Sequence, residues 1–357
     1  MAFINRLRHW WRGHPVPATD TAAPPLRQRG PVDHVILLDG TFSTLEPGQE
    51  SNIGLIFRLL TEGGQRARRN VYYEPGLQWG GWRHGWSIIQ GHGFDSLICR
   101  AYGWLASHYR PGDRIFLLGY SRGAYAVRSL AGMVDRIGLL RKEAATERGV
   151  RDVFRHYQAD PASAAAQDYA RAHCHAEAPI QMVGVFDTVK SLGIRWPLLW
   201  LLIKDHTAFH NHHLGPSIRH GFHALALHET RNAFAPVLWE CPPGWEGNVE
   251  QLWFRGAHGD IGGQLGDFSA ARPLSNIPLV WMLERAEAVG LTLPEGWKAR
   301  YPQDVNAPMV GTWRSWGKWF VIRRKRLLLQ DISERLHPSL ASAAKRRPWR
   351  MRPARPA

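Results

Sequence analysis

Residues 119–123, Gly-Tyr-Ser-Arg-Gly, are the part of this sequence best suited to chemistry. They directly follow the apolar run Ile115–Leu118 and precede a stretch rich in alanine, valine and leucine. A buried strand, a G-x-S-x-G turn and a helix together predict a nucleophile elbow, in which a sharp turn exposes the serine hydroxyl. The alternative for so short a motif is an ordinary glycine-rich turn. We predict that Ser121 is a nucleophile and that Gly119 and Gly123 permit the turn.

An acid and a base that could activate this serine follow apolar stretches further along the chain. Asp187 follows Ile180–Phe186, and His258 follows Leu252–Phe254 at the start of a glycine-rich loop. The order serine, acid, histidine is that of α/β-hydrolases, whose working residues lie beyond the carboxyl ends of parallel strands. We predict that Ser121 attacks an acyl carbonyl, that His258 takes up and returns the proton, and that Asp187 orients the imidazole.

Both the acid and the base have competitors. Asp187 could instead cap a helix that begins with Thr188, and Asp260 is the second candidate for the acid, with ordering of its own loop as the other role. Eighteen histidines compete for the part of the base. The main rivals of His258 are His92, His228, His206, His210, His212 and His213. The change from an apolar strand to a glycine-rich loop favours His258.

Two preset N–H donors are needed to stabilise the oxyanion that forms when a serine attacks an ester. One is expected from the main chain of Arg122, because this residue directly follows the nucleophile. The other is expected from Gly40 or Thr41, in the loop after the first predicted strand. Asp39 ends that strand and is expected to shape the loop rather than to react.

A metal or a cofactor is not expected. His206 and His210 are four positions apart, a spacing that could bind zinc on one face of a helix. No H-E-x-x-H motif or cysteine pair accompanies them, so a solvated histidine set is favoured. Residues 91–93 are not followed by a dinucleotide fingerprint, and the sequence has no P-loop. The three cysteines are scattered without metal-type spacing, which suits a reducing compartment.

Predicted strands alternate with predicted helices along residues 31–312. This alternation predicts an α/β-hydrolase-like fold, with a mostly parallel sheet and helices on both faces. Residues 141–178, rich in alanine, arginine and histidine, are predicted to be a helical insertion and are a candidate lid over the acyl site. The predicted strands are 32–38, 70–73, 115–118, 180–186 and 252–254, and the predicted helices are 52–60, 96–108, 124–134, 210–229 and 277–290.

The net charge of +15 is concentrated at the two ends of the chain. Residues 1–30 carry five arginines and one aspartate, and residues 320–357 carry eleven basic residues and two acids. Basic ends on a nearly neutral body favour attachment to an anionic surface over nucleic-acid binding, for which we find no recognition motif. We therefore divide the chain into a basic lead-in (1–30), a hydrolase domain (31–312) and a basic, tryptophan-rich segment (313–357).

Tryptophans and cations occur together after residue 312. Tryptophan rings suit the headgroup depth of a membrane, and cations beside them suit anionic lipids. The alternative is a solvated basic helix whose tryptophans pack on the body. The apolar run 196–203 is too short to span a bilayer and is assigned to the core, with an acyl-pocket wall or a lipid-touching loop as alternatives. The candidates for membrane contact are Trp313, Trp316, Trp319, Arg323 and Arg324.

In this order, the motifs resemble the domain of unknown function 2235, an α/β-hydrolase family that includes the catalytic domains of type VI secretion phospholipase effectors. The sequence departs from the family's pattern at His228, at Phe42 with Ser43, and at Gln264. The stretches that carry the resemblance are Leu38–Thr41, Tyr72–Gly76, Ala101–Tyr102, Pro111–Asp113, Gly119–Tyr125, Gly184–Val189, His223–Leu227, Trp253–Gly263 and His337–Leu340.

The resemblance implies a triad of Ser121, Asp187 and His258 that cleaves lipid esters, in a lipase or phospholipase without a cofactor. It also implies a partner in a secretion apparatus or an immunity protein. The first twelve residues lack a long apolar stretch, so we expect cytoplasmic synthesis without a secretory signal, and either membrane association or export by a contractile system. Two alternatives stay open at this point, namely an inactive hydrolase fold that binds a membrane or a partner, and a soluble esterase.

Overall fold

A computed structural model of the chain describes residues 29–62, 68–76, 92–189, 213–241, 247–314, 320 and 322–344. The chain divides into two units, residues 1–31 and 32–357. Of the first unit the structure describes residues 29–31, which have no regular secondary structure.

Seven parallel strands form one sheet in the second unit, in the order β2-β1-β3-β4-β5-β6-β7. The predicted α/β fold with a mostly parallel sheet is confirmed. Strand β1 is buried along its whole length, as expected for a strand that is covered on both faces. The strands are β1 (Asp33–Leu38), β2 (Arg69–Glu74), β3 (Arg114–Tyr120), β4 (Ile180–Phe186), β5 (His220–Ala226), β6 (Asn248–Phe254) and β7 (Glu334–Leu336).

Eight α-helices are found in the part of the chain that the structure describes. They are α1 (Asn52–Thr61), α2 (His92–His108), α3 (Arg122–Arg136), α4 (Glu147–Ala159), α5 (Ala164–His173), α6 (His258–Gly262), α7 (Arg272–Ala288) and α8 (Ser339–Ala344). Local sequence explains several of their starts, since the side chains of Ser51 and Thr146 accept main-chain N–H bonds as N-caps of α1 and α4.

Helices cover both faces of the sheet, and alternate side chains of each strand point into one of two cores. Ile36 and Leu117 belong to the core beneath α2, α3 and α4, whereas Leu37 and Leu118 belong to the core beneath α1 and α7. This alternation follows from the two-residue period of a strand. The sheet therefore forms a rigid layer that carries the residues at its carboxyl edge.

The helix predicted over residues 210–229 is wrong at its centre, because His220–Ala226 is strand β5. The alanines, leucine and histidines of this stretch fit a helical pattern, but its main chain pairs with β4 and β6 on its two sides. Tertiary context overrides local propensity here. His223, in the middle of β5, is fully buried, and burial lowers its pKa to about 3.

Residues 141–178 contribute helices to the layer on one face of the sheet, and their role as a lid stays a prediction. Helix α4 turns Val150, Val153, Phe154 and Tyr157 into the core that it shares with α2 and α3. The segment is helical as predicted, and the apolar face of α4 is buried in this packing.

The predicted domain end at residue 312 does not match the structure. Strand β7 lies twenty-two residues later and pairs with β6 at the edge of the main sheet. Only three residues form this strand, which is too short for a period to be visible in the sequence. The described residues after 312 thus include an integral part of the sheet.

A buried glutamate in β7 provides a test of this arrangement. Glu334 accepts hydrogen bonds from Trp253 Nε1 (2.7 Å) and from the main-chain N–H groups of Leu329 (2.9 Å), Gln330 (2.8 Å) and Asp331 (2.9 Å). We expect Glu334→Ala to lower the free energy of unfolding by about 3 kcal/mol, because it leaves the buried indole N–H of Trp253 and three main-chain N–H groups without their acceptor. Urea denaturation measures this.

The matched control is Arg335→Ala, which changes the exposed neighbour in the same strand and should leave the midpoint nearly unchanged. Equal stability of Glu334→Ala and Arg335→Ala would contradict the placement of β7 in the sheet.

Candidate active site

The turn between β3 and α3 holds Ser121 in a backbone conformation that side chains rarely adopt, with φ 57° and ψ −119°. Both flanking glycines are needed there. A Cβ on Gly119 would lie 2.6 Å from the carbonyl oxygen of Gly123, and one on Gly123 would lie 2.1 Å from that of Leu38. The predicted roles of the two glycines therefore have a steric basis, and the strain at the serine is typical of a functional turn.

The structure brings the three predicted triad residues together. Ser121 Oγ lies 2.8 Å from His258 Nε2, and His258 Nδ1 lies 2.6 Å from Asp187 Oδ2. All three residues are buried. They follow the carboxyl ends of β3, β4 and β6, and the main-chain N–H of Ser121 donates to Phe186 (3.0 Å) at the end of β4. The arrangement can relay a proton from the serine to the histidine.

Asp187 is held from several sides. Its own N–H donates to the carbonyl of Ala224 (2.8 Å), and the N–H of Ala226 donates to its Oδ1 (3.0 Å). Burial alone would raise the pKa of this carboxyl, but the charge of Arg326 and the hydrogen bonds from His258 and Arg326 lower that pKa far below its usual range. Asp187 is thus a carboxylate, and it contacts His258 rather than capping a helix.

Arg326 is a residue of this site that sequence analysis missed. Its Nη1 donates to Asp187 Oδ1 (2.5 Å) and its Nη2 to Asp187 Oδ2 (2.9 Å). In the sequence, Arg326 is one of four consecutive basic residues, and nothing in that run distinguishes a buried partner from a solvated charge. Only the three-dimensional fold identifies it, because 139 positions separate it from Asp187.

His258 begins α6 and is fixed at both its main chain and its ring. Glu229 accepts the N–H of His258 (3.1 Å), and the carboxylate of Glu229 pairs with Arg231 (2.6 Å). The rings of Tyr120 and Phe234 each lie 4.9 Å from the imidazole, centroid to centroid. Sequence analysis gave Glu229 no role, although it noted the departure at His228 beside it.

Asp260, the second candidate for the acid, has other partners. Its carboxylate accepts the N–H groups of Ala257 (2.8 Å) and Val310 (2.7 Å), which ties the loop of His258 to residues after α7. Burial raises the pKa of Asp260, and these hydrogen bonds oppose the rise. Ordering of the loop, its alternative role, is what the structure shows.

The loop after β1 meets the elbow beside Ser121, but Gly40 is not free to donate to an oxyanion. Its N–H donates to Asp39 Oδ1 (2.6 Å), whose carboxylate also accepts from Ser51 and Tyr73. Burial raises the pKa of Asp39, and these hydrogen bonds oppose the rise. Because Gly40 has this partner, the predicted oxyanion donors that remain are the N–H groups of Thr41 and of Arg122, the first residue of α3.

The carbonyl of Thr41 accepts from Gln264 Nε2 (2.9 Å), and a Cβ on Gly76 would lie 2.6 Å from the nitrogen of Thr41. Gly76 therefore packs against the Gly40–Thr41 peptide, and Gln264 holds the next peptide, Thr41–Phe42. The departure from the family's pattern at Gln264 thus lies in the support of the predicted oxyanion loop.

The two competing histidines that the structure describes, His228 and His213, have partners other than Ser121 and Asp187. His228 Nδ1 accepts the N–H of Gly256 (3.0 Å), and burial together with Arg255 lowers the pKa of His228 to about 4. His213 is exposed and lies 2.9 Å from the carbonyl of Glu240. The other members of the cluster, His206, His210 and His212, and the side chain of His92 lie outside the described residues. Within the ranges that the structure describes, no three His, Cys, Asp or Glu side chains form a group that could hold a metal ion.

The candidates for membrane contact differ from one another in the structure. Trp313 is 63% exposed, and Arg324 is exposed. Arg323 is instead held by the protein, since its guanidinium lies 3.5 Å from the ring centroid of Trp313 and donates to Thr312 Oγ1 (2.9 Å). Trp316 and Trp319, like residues 196–203, lie outside the described residues. No helix among the described residues is both long and apolar enough to cross a bilayer.

The carboxylate of Glu229 makes the free energy of unfolding depend on pH in the acidic range. Burial would raise its pKa, but bonds and charge from Arg231 and the charge of His258 lower it below the ordinary value of 4.5. The folded state therefore favours the ionised form. This contribution is fully present above about pH 4.5 and is lost as the pH falls through the lower pKa of the folded protein. We expect Glu229→Gln to be about 2 kcal/mol less stable at pH 7 and to lose less stability on acidification than the wild type does.

Denaturation curves at pH 7 and pH 3 measure both effects, and Glu295→Gln, at an exposed position, is the control. An acid-induced loss in Glu229→Gln as large as in the wild type would contradict this account.

Comparison with known proteins gives a family and several relatives. The chain is 29% identical over 235 residues to an uncharacterised protein of Saccharomyces cerevisiae, a match that covers 58% of this chain and 33% of the yeast protein. A solved structure of the Tle1 effector bound to the VgrG spike of the type 6 secretion system aligns with a TM-score of 0.39 and 20% identity, over 68% of this chain and 53% of that one.

An uncharacterised protein from Pseudomonas aeruginosa aligns with a TM-score of 0.41 and 15% identity, over 77% of this chain and 49% of that one. The chain thus spans about a third of the length of the yeast relative and about half of each of these solved chains. A family model for the catalytic domain of Tle1-like phospholipase effectors of the type VI secretion system matches residues 33–285, well over half of the chain. The chain belongs to this family of Tle1-like phospholipase effector catalytic domains.

Proposed function

We propose that this chain is a serine hydrolase that cleaves carboxylic esters of lipids through an acyl-enzyme on Ser121. The observation that carries the proposal is the continuous hydrogen-bonded chain from Ser121 through His258 to Asp187, at 2.8 and 2.6 Å, on a strained strand–turn–helix. A serine in such a chain is activated because the histidine removes its proton as it attacks.

The proposed reaction has two halves. Ser121 Oγ attacks the ester carbonyl while His258 Nε2 takes its proton, and the N–H groups of Arg122 and Thr41 stabilise the oxyanion. His258 then protonates the leaving alcohol, which departs and leaves an acyl group on the serine. Water, deprotonated by the same imidazole, releases the acid and restores Ser121.

Lipid esters are the proposed substrate class because the family is one of phospholipase effectors. Phe42, in the predicted oxyanion loop, is 45% exposed, and Ile322, Leu327 and Leu329 are exposed on the segment that carries Arg326. Arg324 and Lys325 lie among them and are exposed. Apolar side chains mixed with cations suit the surface of an anionic bilayer, where each cation contributes about 1 kcal/mol.

Export through a contractile type VI apparatus is part of the same proposal, and family membership supports it. A component of that apparatus is accordingly the proposed partner during export.

A fluorophosphonate probe tests the chemistry without reference to any lipid. We expect the wild type to be labelled and Ser121→Ala to remain unlabelled, because only an activated serine reacts with the probe. The control is Ser129→Ala, which removes a buried hydroxyl from the same helix, α3, and should be labelled like the wild type. Equal labelling of Ser121→Ala and wild type would refute the assignment of the nucleophile.

Release of fatty acid from phospholipid vesicles tests the substrate class. We expect the wild type to hydrolyse vesicles, and anionic ones faster than zwitterionic ones, whereas Ser121→Ala loses at least about a thousandfold in rate. Cleavage of a soluble short-chain ester without release from vesicles would turn the assignment into that of a soluble esterase. Inactivity on both substrates and with the probe would favour an inactive fold that binds a surface or a partner.

A further inference from the structure

We propose that Arg326 is a positioning residue of this site, which fixes the carboxylate of Asp187 toward His258 and balances its charge. This inference rests on the proposed function, since it concerns the same triad. It assigns a role to a residue that lies outside the matched family region, 33–285.

Arg326 and Asp187 form a bidentate ion pair, which we call the clamp. Nη1 and Nη2 of Arg326 each donate to a different oxygen of Asp187, at 2.5 and 2.9 Å. Two parallel bonds fix the plane of a carboxylate as well as its place. With the N–H of Ala226 as a third donor, Oδ2 of Asp187 is directed at the imidazole of His258.

The guanidinium is itself held by the protein, so it can act as a fixed support. Nη1 of Arg326 also donates to the carbonyl of Ala226 (2.9 Å), and Nη2 donates to that of Phe234 (2.5 Å). Its side chain is only 4% exposed. The clamp therefore joins the end of β5, the turn Asn232–Phe234 and the C-terminal segment to the triad acid.

The charges around His258 form two pairs. Asp187 is paired with Arg326, and Glu229 is paired with Arg231. Among the described residues, further titratable groups near this site are the phenol of Tyr120, the carboxyls of Asp39 and Asp260, and the imidazole of His223. Loss of the Arg326 charge would leave one carboxylate unbalanced beside the imidazole and would favour the imidazolium. The pH at which His258 becomes a competent base should then rise.

The test compares three variants by the rate of fluorophosphonate labelling of Ser121 between pH 5 and 9. For Arg326→Gln we expect a slower plateau, by roughly ten- to a hundredfold, since the acid is no longer held in place. We also expect the midpoint of the acidic limb to move up by about one pH unit. For Arg326→Lys we expect a slower plateau with a nearly unchanged midpoint, because lysine keeps the charge but not the two-pronged contact.

The control is Arg323→Gln, which removes from the same segment a guanidinium that donates to Thr230 and Thr312. Its acidic limb should stay at the wild-type pH. A folded Arg326→Gln with the wild-type limb and plateau would overturn the inference, and so would the same shift in Arg323→Gln. If Arg326→Gln does not fold, Arg326→Lys decides, because a wild-type plateau in that variant would exclude a need for the clamp.

A second measurement separates this inference from the proposed function. NMR titration of the His258 imidazole, identified by comparison with His258→Gln, needs no reactive serine. Absence of labelling in the wild type would refute the hydrolase, whereas an imidazole titration unchanged between wild type and folded Arg326→Gln would refute the charge-balancing role of Arg326.

Discussion

The candidate active site depends on one buried carboxylate. Asp187 has no exposed surface, and an isolated charge at such a place is very costly unless it is paired and hydrogen-bonded. The fold supplies donors from β5, from the imidazole and from Arg326. Each donor belongs to a different part of the chain, so the ionised acid forms only when those parts are assembled.

The parallel sheet explains why these parts meet. Strands β3, β4 and β6 end at the same edge of the sheet. The serine and the acid directly follow β3 and β4, and the histidine lies four residues after β6. Backbone strain at Ser121 and Asp187, both with positive φ, is tolerated because the paired strands leave these turns little freedom. Glu229 and Asp260 complete the site by holding the main chain around His258.

Residue types at strand ends were sufficient to predict which serine, acid and histidine lie together, since a glycine-flanked serine, an aspartate and a histidine each follow an apolar run. Strand β5 was mistaken for a helix because alanine-rich composition does not reveal that a segment is paired on both sides. Arg326 and Glu334 could not be predicted, because their partners Asp187 and Trp253 are 139 and 81 positions away. Long-range ion pairs and a three-residue strand leave no local signal.

The segment that carries Arg326 has two faces, and this affects how membrane attachment can be studied. Arg326 points to the triad acid, whereas Ile322, Leu327 and Leu329 are exposed. Deletion of residues 320–357 would remove the clamp and β7 along with the exposed side chains, so a loss of vesicle hydrolysis in that deletion would say nothing about attachment. Substitutions confined to the outward side chains leave Arg326 and Glu334 in place. Only such substitutions can separate contact with a lipid surface from the integrity of the site.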